Sequence, residues 1–488
     1  MLVGRGDLSL DEIEYHMLAA NLAEGNGYTW FFGLPSTFRP PGYPFLLSAL
    51  YLITGPNYFA ARIVQSMLAA TLPGLTYLLG RQVFEEKTAR LGGFLTALYP
   101  PLIVHCAALL TENIFIPLLI LGIWLLILSK GGERIRLHLF ASLIVAVAVL
   151  LRPSFTFFLP VICLWLLLKA RNARRGYARI GVLLGIWILA VSPWCLRHYG
   201  GAGQFVYLDT RAGYNLFIGY RDGADGSFDI RAAQEPIDVF MASNIPKLQR
   251  GLKEELAERE VRRRLYDEVV SYKQTNFPNH IPAGTYDLSE VESDVLMHEW
   301  GMQRARAFVV AHPWKALKLI PLKFMSFWNL EHRLFIFAYS QNFLGPLPPP
   351  LLAGALSLLI APFACLTLLG VFGAVGCKWD LDTKLLLIGI VVYYSLMHSL
   401  VFGEARLHYP LIPIIALFAA AGIRHRRGWA TGLASEDQAM RHWTRRRLLF
   451  AVAMSTVFVG IWAFGLYNVW DRIAIIFGPE GNQSFLLF

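Results

Sequence analysis

The run Leu110-Thr-Glu112-Asn-Ile114-Phe-Ile-Pro-Leu-Leu-Ile-Leu-Gly-Ile-Trp-Leu-Leu-Ile-Leu-Ser129 identifies the solvent in which this chain folds. From Ile114 to Ser129 it contains no charge, and about 20 such residues cross a bilayer. Glu112 stands at its edge, where an ionisable group is expensive to keep and is more often functional than not. Similar segments lie on both sides. Phe59–Gln82 and Leu91–Leu109 precede it, and Leu137–Leu151, Phe155–Leu168 and Ile180–Leu196 follow.

Of the 488 residues, 55% are hydrophobic and only 16% are charged, and the mean hydropathy is +0.46. That balance specifies an all-α polytopic membrane protein rather than a string of soluble domains. The net charge of +10 is concentrated in Lys169–Arg179, Arg424–Arg427 and Arg441–Arg447, short loops between apolar spans. These are topology signals, not a nucleic-acid patch. The five cysteines stand singly, without the spacing of a zinc site or a disulfide framework.

Placing the basic loops in the cytoplasm sends Asp11, Glu112, Arg152 and Arg197 to the opposite face of a cytoplasmic (inner) membrane. From Tyr199 to His312 the chain turns polar and forms a small extramembrane insertion, with charged helices expected over Lys247–Gln274 and Ser289–Val310. Asp222, Asp225 and Asp229 lack the terminal glutamate of a calcium loop. Pro313–Trp328 is amphipathic and carries Lys315, Lys318 and Lys323, so an interfacial or re-entrant helix is expected. Three further spans, Leu351–Val375, Leu385–Phe402 and Leu407–Ile423, and a last one, Leu448–Trp470, complete the chain. The organisation expected is a catalytic membrane module over 1–198, the extracytoplasmic region over 199–349 and a C-terminal membrane module over 350–488.

Ser9-x-x-Glu12 has capping-box spacing, so a helix starts there, and Gly25-Asn-Gly27 ends it. Asp11 and Glu12 fall in its first turn, where acids also simply complement the helix dipole. A rigid elbow follows, Phe38-Arg39-Pro40-Pro41-Gly42-Tyr43-Pro44. Taken singly, Arg39 is also suited to snorkelling toward headgroups, Pro153 and Pro193 to ending helices, and Trp194 and Tyr409 to an interfacial belt.

Taken in order, Asp11-Glu12-x-x-Tyr15, Arg39-Pro-Pro-Gly-Tyr43-Pro, Tyr99-Pro-Pro, Thr111-Glu112, Arg152-Pro153, Pro193-Trp194-x-x-Arg197 and Glu404-Ala-Arg406-x-His408-Tyr409-Pro410 resemble the bacterial GT-C glycosyltransferases. The nearest kinds are the protein mannosyltransferase-like and aminoarabinose-lipid A transferase-like enzymes. The resemblance implies a GT-C transmembrane helix bundle with interfacial helices. It also implies sugar transfer, with inversion, from a polyprenyl-phosphate donor to a glycan, lipid or protein acceptor at the outer surface, facing the periplasm or cell exterior. By this resemblance Asp11 is the catalytic acid, with Glu12 and Glu112 at the neighbouring and second acidic positions. Arg39, Arg152, Arg197, Arg406 and His408 fall at polar positions near donor phosphate, and Tyr15, Tyr43 and Tyr409 at substrate-contacting ones. Relatives carry a span directly before the acidic motif. Here Met1 stands ten residues ahead of Asp11, so an apolar run encoded in frame upstream of Met1 is expected.

The residue types suit this chemistry on their own terms. An acceptor hydroxyl attacking an anomeric carbon needs a carboxylate base, and a departing phosphate needs planar guanidinium donors. Asp11, Glu12, Glu112 and His408 are types that can hold a divalent metal, although their spacing specifies no ion. A transporter or lipid flippase also places charges in membrane segments, but often as repeated halves. No second Asp-Glu or Arg-Pro-Pro-Gly-Tyr-Pro occurs in the chain.

Overall fold

The computed structural model describes residues 10–29, 35–202, 205–228, 290–335, 347–377 and 381–478. No strand occurs among them; one isolated bridge joins Thr29 and Pro35. The chain begins with α1 (Leu10–Ala23), α2 (Gly42–Thr54), α3 (Tyr58–Ala69), α4 (Leu72–Val83), α5 (Glu86–Ala97) and α6 (Pro100–His105). It continues with α7 (Glu112–Leu128), α8 (Ile135–Leu151), α9 (Leu159–Lys169), α10 (Ala173–Ala202) and α11 (Arg211–Gly219). Next come α12 (Glu290–Ala311), α13 (Pro313–Phe327), α14 (Pro349–Gly376), α15 (Leu381–Leu400), α16 (Ile412–Leu433) and α17 (Gln438–Phe477). Two 3₁₀ segments, Pro153–Phe158 and Ala405–Leu411, lead into α9 and α16. The segment expected to be helical over Lys247–Gln274 lies outside the described residues, as does Ser9 of the capping box.

Five helical stretches are long and apolar enough to cross a bilayer: Tyr58–Val83, Ala173–Gly200, Pro349–Gly376, Ala405–Arg426 and Gln438–Asp471. Shorter apolar helices accompany them. The chain is a multi-pass, all-α membrane protein. In four of the five, 28–33% of the apolar window is buried, but in Ala405–Arg426 the share is 89%. That last stretch is therefore wrapped by protein, and the others leave most of their apolar surface for lipid.

The chain divides into two compact units. One comprises Met1–Glu12, Tyr58–Ala190 and Ile320–Phe488; the other comprises Ile13–Asn57 and Val191–Leu319. In the first, α16 packs on α14 and on the α4–α5 pair. The α14 contact is made by small residues: a Cβ on Gly373 would lie 1.8 Å from the Phe418 carbonyl, and one on Gly422 would lie 2.3 Å from that of Leu369. Hydrophobic transfer drives little between helices in lipid, so this backbone-to-backbone approach supplies the packing instead. In the second unit α11 and α12 pair in the same way, through Gly213 and Gly301. Phe38, Tyr214, Ile218 and Met297 form an apolar cluster there.

Prolines decide several boundaries. The expected span Leu91–Leu109 is not one helix, because Tyr99 ahead of Pro100-Pro101 is extended (φ −82°, ψ 102°). A residue before proline is driven out of the helical region, and proline brings no N–H to continue the ladder. The result is α5, the single-turn α6 and an irregular stretch up to Thr111. Arg152 before Pro153 is likewise extended (φ −136°, ψ 95°) and separates α8 from the following 3₁₀ turn. The expected span Phe59–Gln82 turns at Ala70-Thr71 between α3 and α4.

Candidate active site

The start of α1 belongs to the first unit. Successive helical residues point about 100° apart, so Asp11 and Glu12 meet different surroundings. Glu12 is buried. Its Oε1 accepts from Arg62 Nη2 at 2.9 Å and from the Leu109 backbone N–H at 2.7 Å. Asp11 is partly open, and its Oδ2 receives Arg406 Nη1 at 3.3 Å. Arg406 also reaches Glu404, whose other oxygen lies 3.8 Å from Arg333. Arg333, Glu404, Arg406 and Asp11 therefore form a chain of alternating charge.

Glu112 opens α7 and is paired with Arg152 at 2.9 Å, while the Thr111 hydroxyl donates to its other oxygen at 3.0 Å. The Arg152 guanidinium also lies over the Phe115 ring, 5.6 Å from its centre. The irregular stretch before α7 is held by amides. Gln65 Nε2 donates to the Ala108 and Cys106 carbonyls at 2.6 and 3.1 Å. Asn113 Nδ2 donates to those of Ala108 and His105 at 2.8 and 3.2 Å. With the Glu12 contact to Leu109, these bonds satisfy backbone that no helix ladder serves.

His408 is fully buried in the 3₁₀ turn. Its Nδ1 faces the Phe327 carbonyl at 2.8 Å and its Nε2 faces Glu331 Oε1 at 3.0 Å. Both ring nitrogens are thus engaged inside the protein. Tyr409 is also buried, edge-on to His105 with ring centres 5.0 Å apart.

The second unit holds Tyr15, Arg39, Tyr43 and Arg197. Arg39 is buried in an ion pair with Glu14, and its Nη1 donates to the Tyr15 hydroxyl at 3.3 Å. Tyr15 and Tyr43 pack edge to face. The guanidinium of Arg197 lies over the Trp194 ring at 4.6 Å, and it donates to the Ser36 and Tyr28 carbonyls at 3.0 and 3.2 Å. Asp294 fastens the same loop: its Oδ2 accepts from Thr37 N at 2.7 Å, Ser36 Oγ at 3.2 Å and Thr37 Oγ1 at 3.3 Å. Burial pushes the Asp294 carboxyl up to about 6, against the pull of those donors. Burial raises Asp209 as well and lowers His16.

Among the described residues, no three His, Cys, Asp or Glu side chains come together as a ligand set for a metal. Asp11, Glu12, Glu112 and His408 are each engaged with cations, hydroxyls or backbone as described above.

The motif reading did not include Glu14, Arg62, Asp294, Glu331 and Arg333. Arg62 had a signal, since it is a charge inside the apolar run Tyr58–Ala69. So did Glu331-His-Arg333, a polar triplet directly after an aromatic stretch. Glu14 and Asp294 look in sequence like ordinary helix-surface acids.

Comparison with known proteins adds a family match to this geometry. Residues 38–196 match the family model of the dolichyl-phosphate-mannose-protein mannosyltransferases. The GT-C resemblance read from the motifs holds over that stretch. No curated protein sequence matches the chain. Among solved structures, the archaeal oligosaccharyltransferase AglB of Archaeoglobus fulgidus, in complex with an inhibitory peptide and a dolichol-phosphate, aligns at 12% identity and TM-score 0.44. That alignment covers 94% of this chain and 51% of the other, so this chain spans about half the length of AglB. ArnT of Cupriavidus metallidurans, bound to undecaprenyl phosphate, aligns at 13% identity and TM-score 0.39, covering 96% of this chain and 88% of ArnT.

Proposed function

We propose that this protein is an integral-membrane glycosyltransferase that moves a sugar from a polyprenyl-phosphate donor to an acceptor hydroxyl at the outer face of the cytoplasmic membrane, with inversion. The observation that carries the reading is the partly open Asp11 carboxylate at the end of a chain of alternating guanidinium and carboxylate groups, in a protein whose residues 38–196 match the dolichyl-phosphate-mannose-protein mannosyltransferase family model. The acceptor oxygen forms a bond to the anomeric carbon as the bond from that carbon to the phosphate oxygen breaks. The electron pair leaves with the polyprenyl phosphate, and the acceptor proton passes to Asp11. A positioned base of this kind contributes ~10²–10⁴-fold.

Arg406 and Arg152 are the first unit's donors for the departing phosphate. Each has a carboxylate partner in this structure and so holds its fork in place before the anion develops. For Arg39 and Arg197 the phosphate role rests on the motif resemblance. The outer-face location rests on the lysine and arginine distribution of the loops.

The test is product formation from a labelled polyprenyl-phosphate sugar by purified Asp11→Asn protein that elutes as wild type on size exclusion. Asparagine keeps the shape and any helix-start hydrogen bond but loses the basicity, so transfer should collapse. Full activity in this variant would return Asp11 to a helix-start role.

A further inference from the structure

Glu331, in the segment after α13, has no task in the chemistry above, yet it is more deeply buried than any acid in it. Its Oε1 accepts from the Tyr99 hydroxyl and from His408 Nε2. These three side chains, all within 1% of full burial, come from the turn before α6, the segment after α13 and the 3₁₀ turn before α16. The other His408 nitrogen faces the Phe327 carbonyl. A carbonyl faces one ring nitrogen and the Glu331 carboxyl faces the other, so both are engaged inside the protein. The imidazole also stacks on Phe363, with ring centres 4.0 Å apart and planes 4° apart, and Trp328 lies to one side, 6.4 Å from the imidazole and 6.3 Å from Phe363. A buried ring bonded through both nitrogens and stacked on an aromatic face is a fixed object.

The segment that bears Glu331 is itself anchored. Trp328 Nε1 donates to Ser395 Oγ at 3.1 Å, and Trp462 Nε1 donates to the Trp328 carbonyl at 2.9 Å. Gly403 lies so close to the end of α13 that a Cβ there would fall 2.0 Å from the Lys323 carbonyl. Two residues before His408 in the same 3₁₀ turn stands Arg406, the residue that reaches Asp11. Fixing the His408 ring fixes that turn within less than one helical repeat of Arg406.

We propose that Glu331 is a positioning residue: by holding Tyr99 and His408 together it sets the place of Arg406 against Asp11. This rests on the transferase reading above for its effect on rate, but not for its effect on the turn.

Three variants, Glu331→Ala, Glu331→Gln and Tyr99→Phe, would be compared by transfer kinetics and by hydrogen–deuterium exchange of 403–411. Glu331→Ala should lower kcat by about tenfold to a hundredfold, as small misplacements of catalytic groups do, and leave the donor KM nearly unchanged. Exchange at 403–411 should rise in that variant and remain as in wild type along α7 and α8. The shape-conserving Glu331→Gln and Tyr99→Phe should show the same signs at smaller size, and they carry the test if the alanine variant does not fold. In an Arg406→Ala background Glu331→Ala should cost less than about twofold more, because effects exerted through one residue do not add. Additive losses in the double variant, or unchanged exchange at 403–411 in all three variants, would overturn the assignment. A wild-type protein without transferase activity would defeat the functional reading alone, and the exchange measurement would still decide whether Glu331 holds the turn.

Discussion

Asp11 and Glu12 are chemically similar acids, adjacent on one helix, and each is paired with an arginine. Their environments differ. The Glu12–Arg62 pair has side-chain exposures of 4% and 7%, whereas Asp11 and Arg406 keep 25% and 33%. A pair without water cannot be broken cheaply and cannot exchange partners, so Glu12 serves as an anchor between α1, α3 and the stretch before α7. A pair with water at its edge can release either member to a substrate. On the proposed reading, burial, more than residue type, separates the anchoring carboxylate from the one that takes the acceptor proton.

The largest effect should come from breaking the buried pair. Arg62→Ala takes the guanidinium away from the buried Glu12 carboxylate and should cost about 3–5 kcal/mol, seen as a lower unfolding temperature in detergent. Transfer per folded molecule should stay close to wild type; if instead it is lost while stability holds, the assignments of Glu12 and Asp11 are reversed. Asp11→Asn should show the opposite pattern, with transfer down by ~10²-fold or more and an unfolding temperature like that of wild type.

Asp294 extends the comparison to a carboxylate buried on neutral donors, with no guanidinium bonded to it. Because its folded-state value is raised to about 6, the folded protein keeps a proton that the unfolded chain has given up. The unfolded state therefore binds fewer protons between pH 4 and 6, and stability falls as pH rises through that window and levels off above it. The total should be roughly 3 kcal/mol, read from denaturant unfolding at several pH values, and Asp294→Asn should flatten the slope. A slope unchanged in that variant would assign the titration to another group.

Smaller still is Arg406→Lys, which keeps charge but loses the fork that spans Asp11 and Glu404. Transfer should fall by about tenfold, against a smaller loss for Arg152→Lys, whose guanidinium makes one ion pair. Equal losses would mean that the two forks share the phosphate. At the bottom of the scale, the exposed Glu86–Arg90 pair should be silent: Arg90→Ala should leave both unfolding temperature and transfer at wild-type values, because water already screens it.

Much of this was legible in the chain itself. The spans follow from uncharged runs, and the breaks at Tyr99 and Arg152 follow from the prolines after them. The expected unbroken span Leu91–Leu109 overlooked that rule. The partners were not legible. Glu12 and Arg62 are 50 residues apart, and Ser36 and Asp294 are 258 apart. No local pattern links such residues. In water an amphipathic stripe would show which face of a helix turns inward, but α7 and α8 are apolar all round and give no such bearing.

The sequence by itself determined that this is a multi-pass helical membrane protein, and it marked the acids, arginines and proline elbows on which a transferase would depend. Lipid accepts only helices with satisfied backbones, so composition and proline spacing are sufficient for that much. The tertiary structure alone decided which carboxylate each arginine meets, which of two neighbouring acids stays within reach of water, and that Glu331 occupies the core beside His408. Those outcomes depend on how closely helices approach, at contacts such as Gly373 against Phe418 and Gly403 against Lys323. The distance between two backbones is fixed only when both are in place.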